Sequence, residues 1–75
     1  MATRVRVAVL GVGSLGQQHA RIYSEMHRQD AVELVGVYDT DPAQARSIAE
    51  KHGTAALGSV EAAAAAADAL SIVTP

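Results

Sequence analysis

Val5-Arg6-Val7-Ala8-Val9-Leu10-Gly11-Val12-Gly13-Ser14-Leu15-Gly16 is the stretch whose reading decides the fold. A run rich in β-branched residues stops at Gly11, and Gly13 and Gly16 complete a Gly-x-Gly-x-x-Gly pattern. Gln17 to Arg28 then carry apolar residues at helical spacing. Strand, tight glycine turn and helix form the context in which this pattern has a mechanism. Gly11 lets the chain leave the strand in a tight turn. Gly13 has no Cβ, so a pyrophosphate can approach the backbone. Gly16 lets the helix lie close on the strand. The free amides of the helix's first turn, at the positive end of its dipole, face the phosphates.

A glycine turn can also stand without a ligand, so a second feature is needed. Asp39 supplies it. It ends another apolar run, Val32-Glu33-Leu34-Val35-Gly36-Val37-Tyr38, close to the ~20 residues past the last glycine that the dinucleotide fingerprint expects. At the tip of a neighbouring parallel strand its carboxylate can accept hydrogen bonds from both adenosine ribose hydroxyls, and its charge would repel a 2′-phosphate. A capping aspartate is the other reading, but Asp41, ahead of Pro42, fits that role better.

With 75 residues the chain holds one domain at most. Chains this short bury only about 60% of their unfolded surface, so the fold is marginal on its own. Without cysteine no disulfide can help, which fits a reducing, cytoplasmic setting. A formal charge of −2 and no basic stripe argue against nucleic acid. The only aromatics, Tyr23 and Tyr38, make no base-stacking platform. No apolar stretch approaches the ~20 residues needed to cross a bilayer, and the N-terminus has no targeting pattern.

Taken in order, Arg4 to Leu10 reads as the first strand, apolar on both faces in its later half, as a central strand of a helix-covered parallel sheet should be. Arg4 and Arg6 sit at its solvated entry end. Ser14 to Arg28 is the phosphate-facing helix, with Leu15, His19, Ile22, Tyr23 and Met26 on its inner stripe. His19 is expected to pack between helix and sheet with a backbone partner, and His27 and His52 to lie on the surface. Three scattered histidines without cysteine make no metal signature. Val32 to Tyr38 is the second strand, and Pro42 to His52 the second helix, with Ala45, Ile48 and Ala49 inside and Gly53 ending it. Thr54 to Leu57 leaves room for a short third strand. Ser59 caps a third helix built on the alanine run Ala62 to Ala67, and Ala69 to Val73 is the fourth strand before Thr74 and Pro75. The fold class is therefore α/β, a partial doubly wound Rossmann fold running β-α-β-α-β-α-β. Its parallel sheet has the order 3-2-1-4, with the ligand crevice between strands 1 and 4.

Three segments together resemble a specific family. Gly11-Val12-Gly13-Ser14-Leu15-Gly16-Gln17-Gln18-His19-Ala20, Leu34-Val35-Gly36-Val37-Tyr38-Asp39-Thr40-Asp41-Pro42 and Ala69-Leu70-Ser71-Ile72-Val73-Thr74-Pro75 are similar to the N-terminal domain of the glucose–fructose oxidoreductase / inositol dehydrogenase / MocA-like family. The resemblance implies hydride transfer between a nicotinamide cofactor and a hydroxyl carbon of a sugar or polyol. It implies that Gly11, Val12, Gly13, Ser14, Leu15 and Gly16 cradle the pyrophosphate, that Asp39 holds the adenosine ribose, and that Thr74 and Pro75 line the nicotinamide side. Thr40 and Asp41 put no cation beside Asp39, which favours NAD over NADP. Family members run several times longer, with a Glu-Lys-Pro motif and a substrate domain that have no counterpart in residues 1–75. The chain is thus expected to be an N-terminal piece of an oxidoreductase that cannot complete the reaction alone, with no catalytic residue assigned. The alternatives are a non-catalytic nucleotide sensor or an assembly module. The exposed edge of the fourth strand predicts a homodimer or higher assembly.

Overall fold

The computed structural model describes residues 4–73, in the order β1 (Val5–Leu10), α1 (Ser14–Arg28), β2 (Val32–Tyr38), α2 (Pro42–His52), α3 (Val60–Ala66) and β3 (Ala69–Ile72). The three strands form one parallel sheet ordered β2-β1-β3. Alternation along β1 divides the core in two. Val9 faces a cluster with Val12, Ala20, Leu34, Val37, Ile48 and Ala49, which joins α1 and α2 to one side of the sheet. Ala8 and Leu10 face Ala63 of α3, with Val35, Tyr38 and Leu57 packed around them. Helices on both faces explain why the later half of β1 is buried throughout.

Local chemistry sets the helix ends. Asp41 caps α2, its carboxylate accepting from the amides of Ala43 (3.0 Å) and Gln44 (3.4 Å) ahead of Pro42 at the first turn. Gly53 closes α2 at φ 66°. The Ser59 hydroxyl accepts from Ala62 N–H (3.0 Å) and starts α3, whose alanines let it lie against β1. At the lower end of the sheet Arg6 and Asp68 lock the β1–β3 register. The guanidinium holds the carboxylate at 2.9 and 3.3 Å, Arg6 N–H donates to it at 3.0 Å, and Asp68 N–H donates to the Arg6 carbonyl at 2.8 Å.

Three expectations need correction. The third strand is reduced to one bridge: Ala56 lies beside Val37, whose N–H donates to Ala55 (2.9 Å) and whose carbonyl accepts from Leu57 (2.8 Å). It stands on the outer side of β2, but it stops there. The Thr54 hydroxyl turns to the Leu34 carbonyl (3.1 Å) and Leu57 turns inward over Gly36, so no longer ladder forms. The inner stripe of α1 departs from expectation at Ile22, while Tyr23 packs against the core. Ala20 and Ser24 are buried while Ile22 is 46% exposed, because Gly16 faces the strand turn and residues four apart follow it inward. The Leu15 side chain lies outside what is described.

The third correction concerns His27, which is not a free surface residue. Its Nδ1 accepts from the amide of buried Leu34 at 3.1 Å. That amide points away from β1, next to the irregularity where β1 passes from Leu34 to Gly36 and skips Val35. His27→Ala removes the acceptor and leaves a buried N–H unsatisfied, a loss of about 1–3 kcal/mol. Urea unfolding should show a lower midpoint; an unchanged midpoint would mean that water replaces the imidazole.

Candidate functional site

The glycine turn sits at the carboxyl end of β1, where three pieces of backbone converge. Gly11 adopts φ 91°, and a Cβ there would meet the Val73 carbonyl, so only glycine fits between β1 and the exit of β3. Gly16 is equally constrained, since a Cβ on it would run into the carbonyl oxygen of Gly11. These contacts hold the start of α1 directly on the strand turn. Gly13 differs from both. No atom lies within 4 Å of where its Cβ would be, so its outer side is open space. It is the N-cap of α1 and makes no side-chain capping hydrogen bond.

Asp39 follows β2 and is turned toward this opening. Its Oδ2 accepts the amide of Val12 at 2.9 Å and its Oδ1 the amide of Asp41 at 2.9 Å. The Asp41 amide first, then the Val12 amide, with help from the Thr40 hydroxyl, hold the carboxyl below its usual range despite partial burial. An ionised carboxylate has about four acceptor sites. With one amide on each oxygen and the Thr40 hydroxyl nearby, the carboxylate still has acceptor capacity for a ligand hydroxyl.

The Val12 peptide is also held from its other end. Gln44, in the first turn of α2, donates from Nε2 to the Val12 carbonyl at 2.9 Å. Nothing in the sequence singles Gln44 out; only its place just after the Asp41-Pro42 cap aims it back toward the turn. On the opposite flank, His19 Nδ1 lies 3.4 Å from the Ser71 hydroxyl of β3, so its partner is a side chain and not the backbone.

The structure therefore brings together Gly11, Val12, Gly13, Gly16, Asp39 and Thr40. Ser14 and Leu15 open α1 as expected, although their side chains lie outside what is described. Thr74 and Pro75 lie outside the described residues. Val73, just before them, donates to the Leu10 carbonyl at 2.8 Å and has its Cβ 3.8 Å from the Cβ position at Gly16, at the rim of the crevice. Among the described residues no His, Cys, Asp or Glu cluster could hold a metal ion. No helix among them is long and apolar enough to cross a membrane. An open main-chain cup, a helix N-terminus without a side-chain cap and an ionised acceptor beside it fit a dinucleotide: amides for the pyrophosphate, the acid for ribose hydroxyls.

Comparison with known proteins bears on the family and the fold. Residues 5–75 match the family described as the oxidoreductase family with the NAD-binding Rossmann fold. UDP-N-acetylglucosamine 3-dehydrogenase of Acidithiobacillus ferrooxidans is 39% identical over 71 residues, which are 95% of this chain and 21% of that protein. Its solved structure superposes with a TM-score of 0.86 at 38% identity, over 99% of this chain and 23% of that one. Inositol 2-dehydrogenase of Acidothermus cellulolyticus is 36% identical over 47 residues, 63% of this chain and 13% of that protein. The structure of GenD2 from gentamicin A biosynthesis, in complex with NAD, gives a TM-score of 0.79 at 29% identity, over 100% of this chain and 21% of that one. The chain thus spans about a fifth or less of the length of these relatives.

The depressed carboxyl of Asp39 makes stability depend on pH. The stabilisation is complete above the ordinary carboxylate range and is lost as pH falls through the lowered native value. Asp68, lowered chiefly by its hydrogen bond from the Arg6 side chain, acts in the same direction. Asp39→Asn is expected to reduce stability at neutral pH by about 1–2 kcal/mol, from the weakened amide bonds at a partly exposed site. It should also flatten the acid limb of a stability–pH profile; the wild-type slope persisting in this variant would assign that limb elsewhere.

Proposed function

The chain belongs to the oxidoreductase family with the NAD-binding Rossmann fold, and from that membership we propose that its glycine turn and Asp39 hold an adenine dinucleotide, NAD in preference to NADP. The observation that carries this reading is the direction of Asp39. Its carboxylate is bonded into the turn at Val12, beside the open side of Gly13. When bound, the nicotinamide ring supplies the hydride donor or acceptor. The chain's own part is binding and orientation. First-turn amides of α1 receive the pyrophosphate, and Asp39 takes the ribose hydroxyls. The fixed negative charge of Asp39, with Thr40 and Asp41 beside it, disfavours a 2′-phosphate.

The whole protein's substrate is a hydroxyl carbon of a sugar or polyol, a reading supported by the names of the two dehydrogenases that the chain resembles. The groups that polarise that hydroxyl are proposed to come from outside the 75 residues. A cytoplasmic location goes with this reading. Titration calorimetry with NADH and NADPH tests it. NADH should bind more tightly, and Gly13→Val should weaken it by about tenfold or more, because the new side chain fills the space for phosphate. Tighter binding of NADPH would remove Asp39 from the ribose role, and an unaffected Gly13→Val variant would move the ligand away from the turn.

Self-association is a second property proposed for the chain. Leu70 is 36% and Ile72 66% exposed on β3, whose inner side alone is paired among the described residues. Two copies pairing along this edge would continue the sheet. Sedimentation at tens of micromolar should give a dimer that Ile72→Lys returns to monomer; a monomeric wild type would overturn it.

A further inference from the structure

We propose that Gln44 is a positioning residue for the dinucleotide, acting through the peptide between Val12 and Gly13; the inference rests on the binding role proposed above. A trans peptide is planar, and its C=O and N–H point in opposite directions. The Val12 carbonyl and the Gly13 N–H belong to the same peptide. Gln44 holds that carbonyl at 2.9 Å from α2, so the Gly13 N–H is turned away from α2. Gly13 is also the residue whose outer side is free of protein atoms. The preceding peptide is fixed independently, because its N–H, that of Val12, donates to Asp39. Two consecutive peptide planes are thus held by two side chains from the same strand–helix junction, Asp39 at its strand end and Gln44 in its first helical turn.

The assignment of the amide is unambiguous. A carbonyl only accepts, so the NH₂ of Gln44 must face Val12. Without that donor the peptide between Val12 and Gly13 loses the bond that sets its tilt, and the Gly13 amide loses its fixed aim. Asp39 would remain in place through the Asp41 amide. Gln44 therefore acts on the phosphate half of the ligand, while Asp39 acts on the ribose half.

Gln44→Met keeps length and helix propensity and removes the donor. Gln44→Glu, of equal length, is the second variant and places a like charge against the carbonyl. Calorimetry on the whole protein with NADH, and amide-shift titration with adenosine, which has no phosphate, separate the two halves. The expected result is a five- to thirtyfold loss of NADH affinity in both variants with adenosine affinity unchanged. Asp39→Asn should weaken both ligands. Equal losses for NADH and adenosine in the Gln44 variants would show a merely structural role and overturn the proposal. NADH affinity within twofold of wild type would overturn it as well, with the binding role intact. A wild type that binds no NADH would bring down the binding role and this inference together.

Discussion

The carbonyl oxygen of Gly11 stands where the first side-chain carbon of residue 16 would be, and the Val73 carbonyl stands where that of residue 11 would be. These two exclusions fix the upper end of the molecule. They draw the start of α1 and the exit of β3 onto the end of β1 more closely than any pair of side chains could. Ala20 and Ser24 follow Gly16 inward at four-residue steps, so the same closeness runs down the helix. Gly13 lies between the two constrained glycines and has no such neighbour. Crowding on both sides leaves an opening between them.

Around that opening, the groups that hold the fold together are also the ones that shape the cup. Asp41 caps α2 and, through its own amide, holds Asp39. Asp39 closes the gap between β2 and the glycine turn and remains ionised in doing so. The Val12 side chain is fully buried in the core under α1 and α2, so the peptides on either side of it are anchored from below as well. The cup is organised before any ligand arrives, which lowers the ordering entropy that binding must overcome.

The parts legible in the sequence were those in which one residue type has one physical job. Glycines at fixed offsets, an acid at a strand tip, Asp-Pro at a helix start, Gly53 at a left-handed helix end and Ser59 at an N-cap all lie where their chemistry places them. Other features depend on contacts between distant segments. Gln44 is one of several glutamines on helix surfaces, and only the fold brings it to Val12. His27 acquires a partner because of an irregularity in β2 that alternation does not encode. The exposure of Ile22 could have been foreseen from the small residues at 16, 20 and 24, but large apolar side chains dominate a hydrophobicity pattern. The third strand shrank to a bridge because Thr54 and Leu57 are engaged elsewhere, and strand propensity carries no information about that.

The two margins of the sheet are unlike. Along β2, the outward groups of Leu34 are taken by His27 and Thr54, and those of Val37 by the Ala55–Leu57 segment. That flank is finished with side chains and a loop, which cannot template another chain. Along β3 the outer flank carries Leu70 and Ile72 and no such finish among the described residues. Addition to this sheet is consequently one-way: a further strand, whether from a longer polypeptide or from a second molecule, joins beyond β3 and not beyond β2.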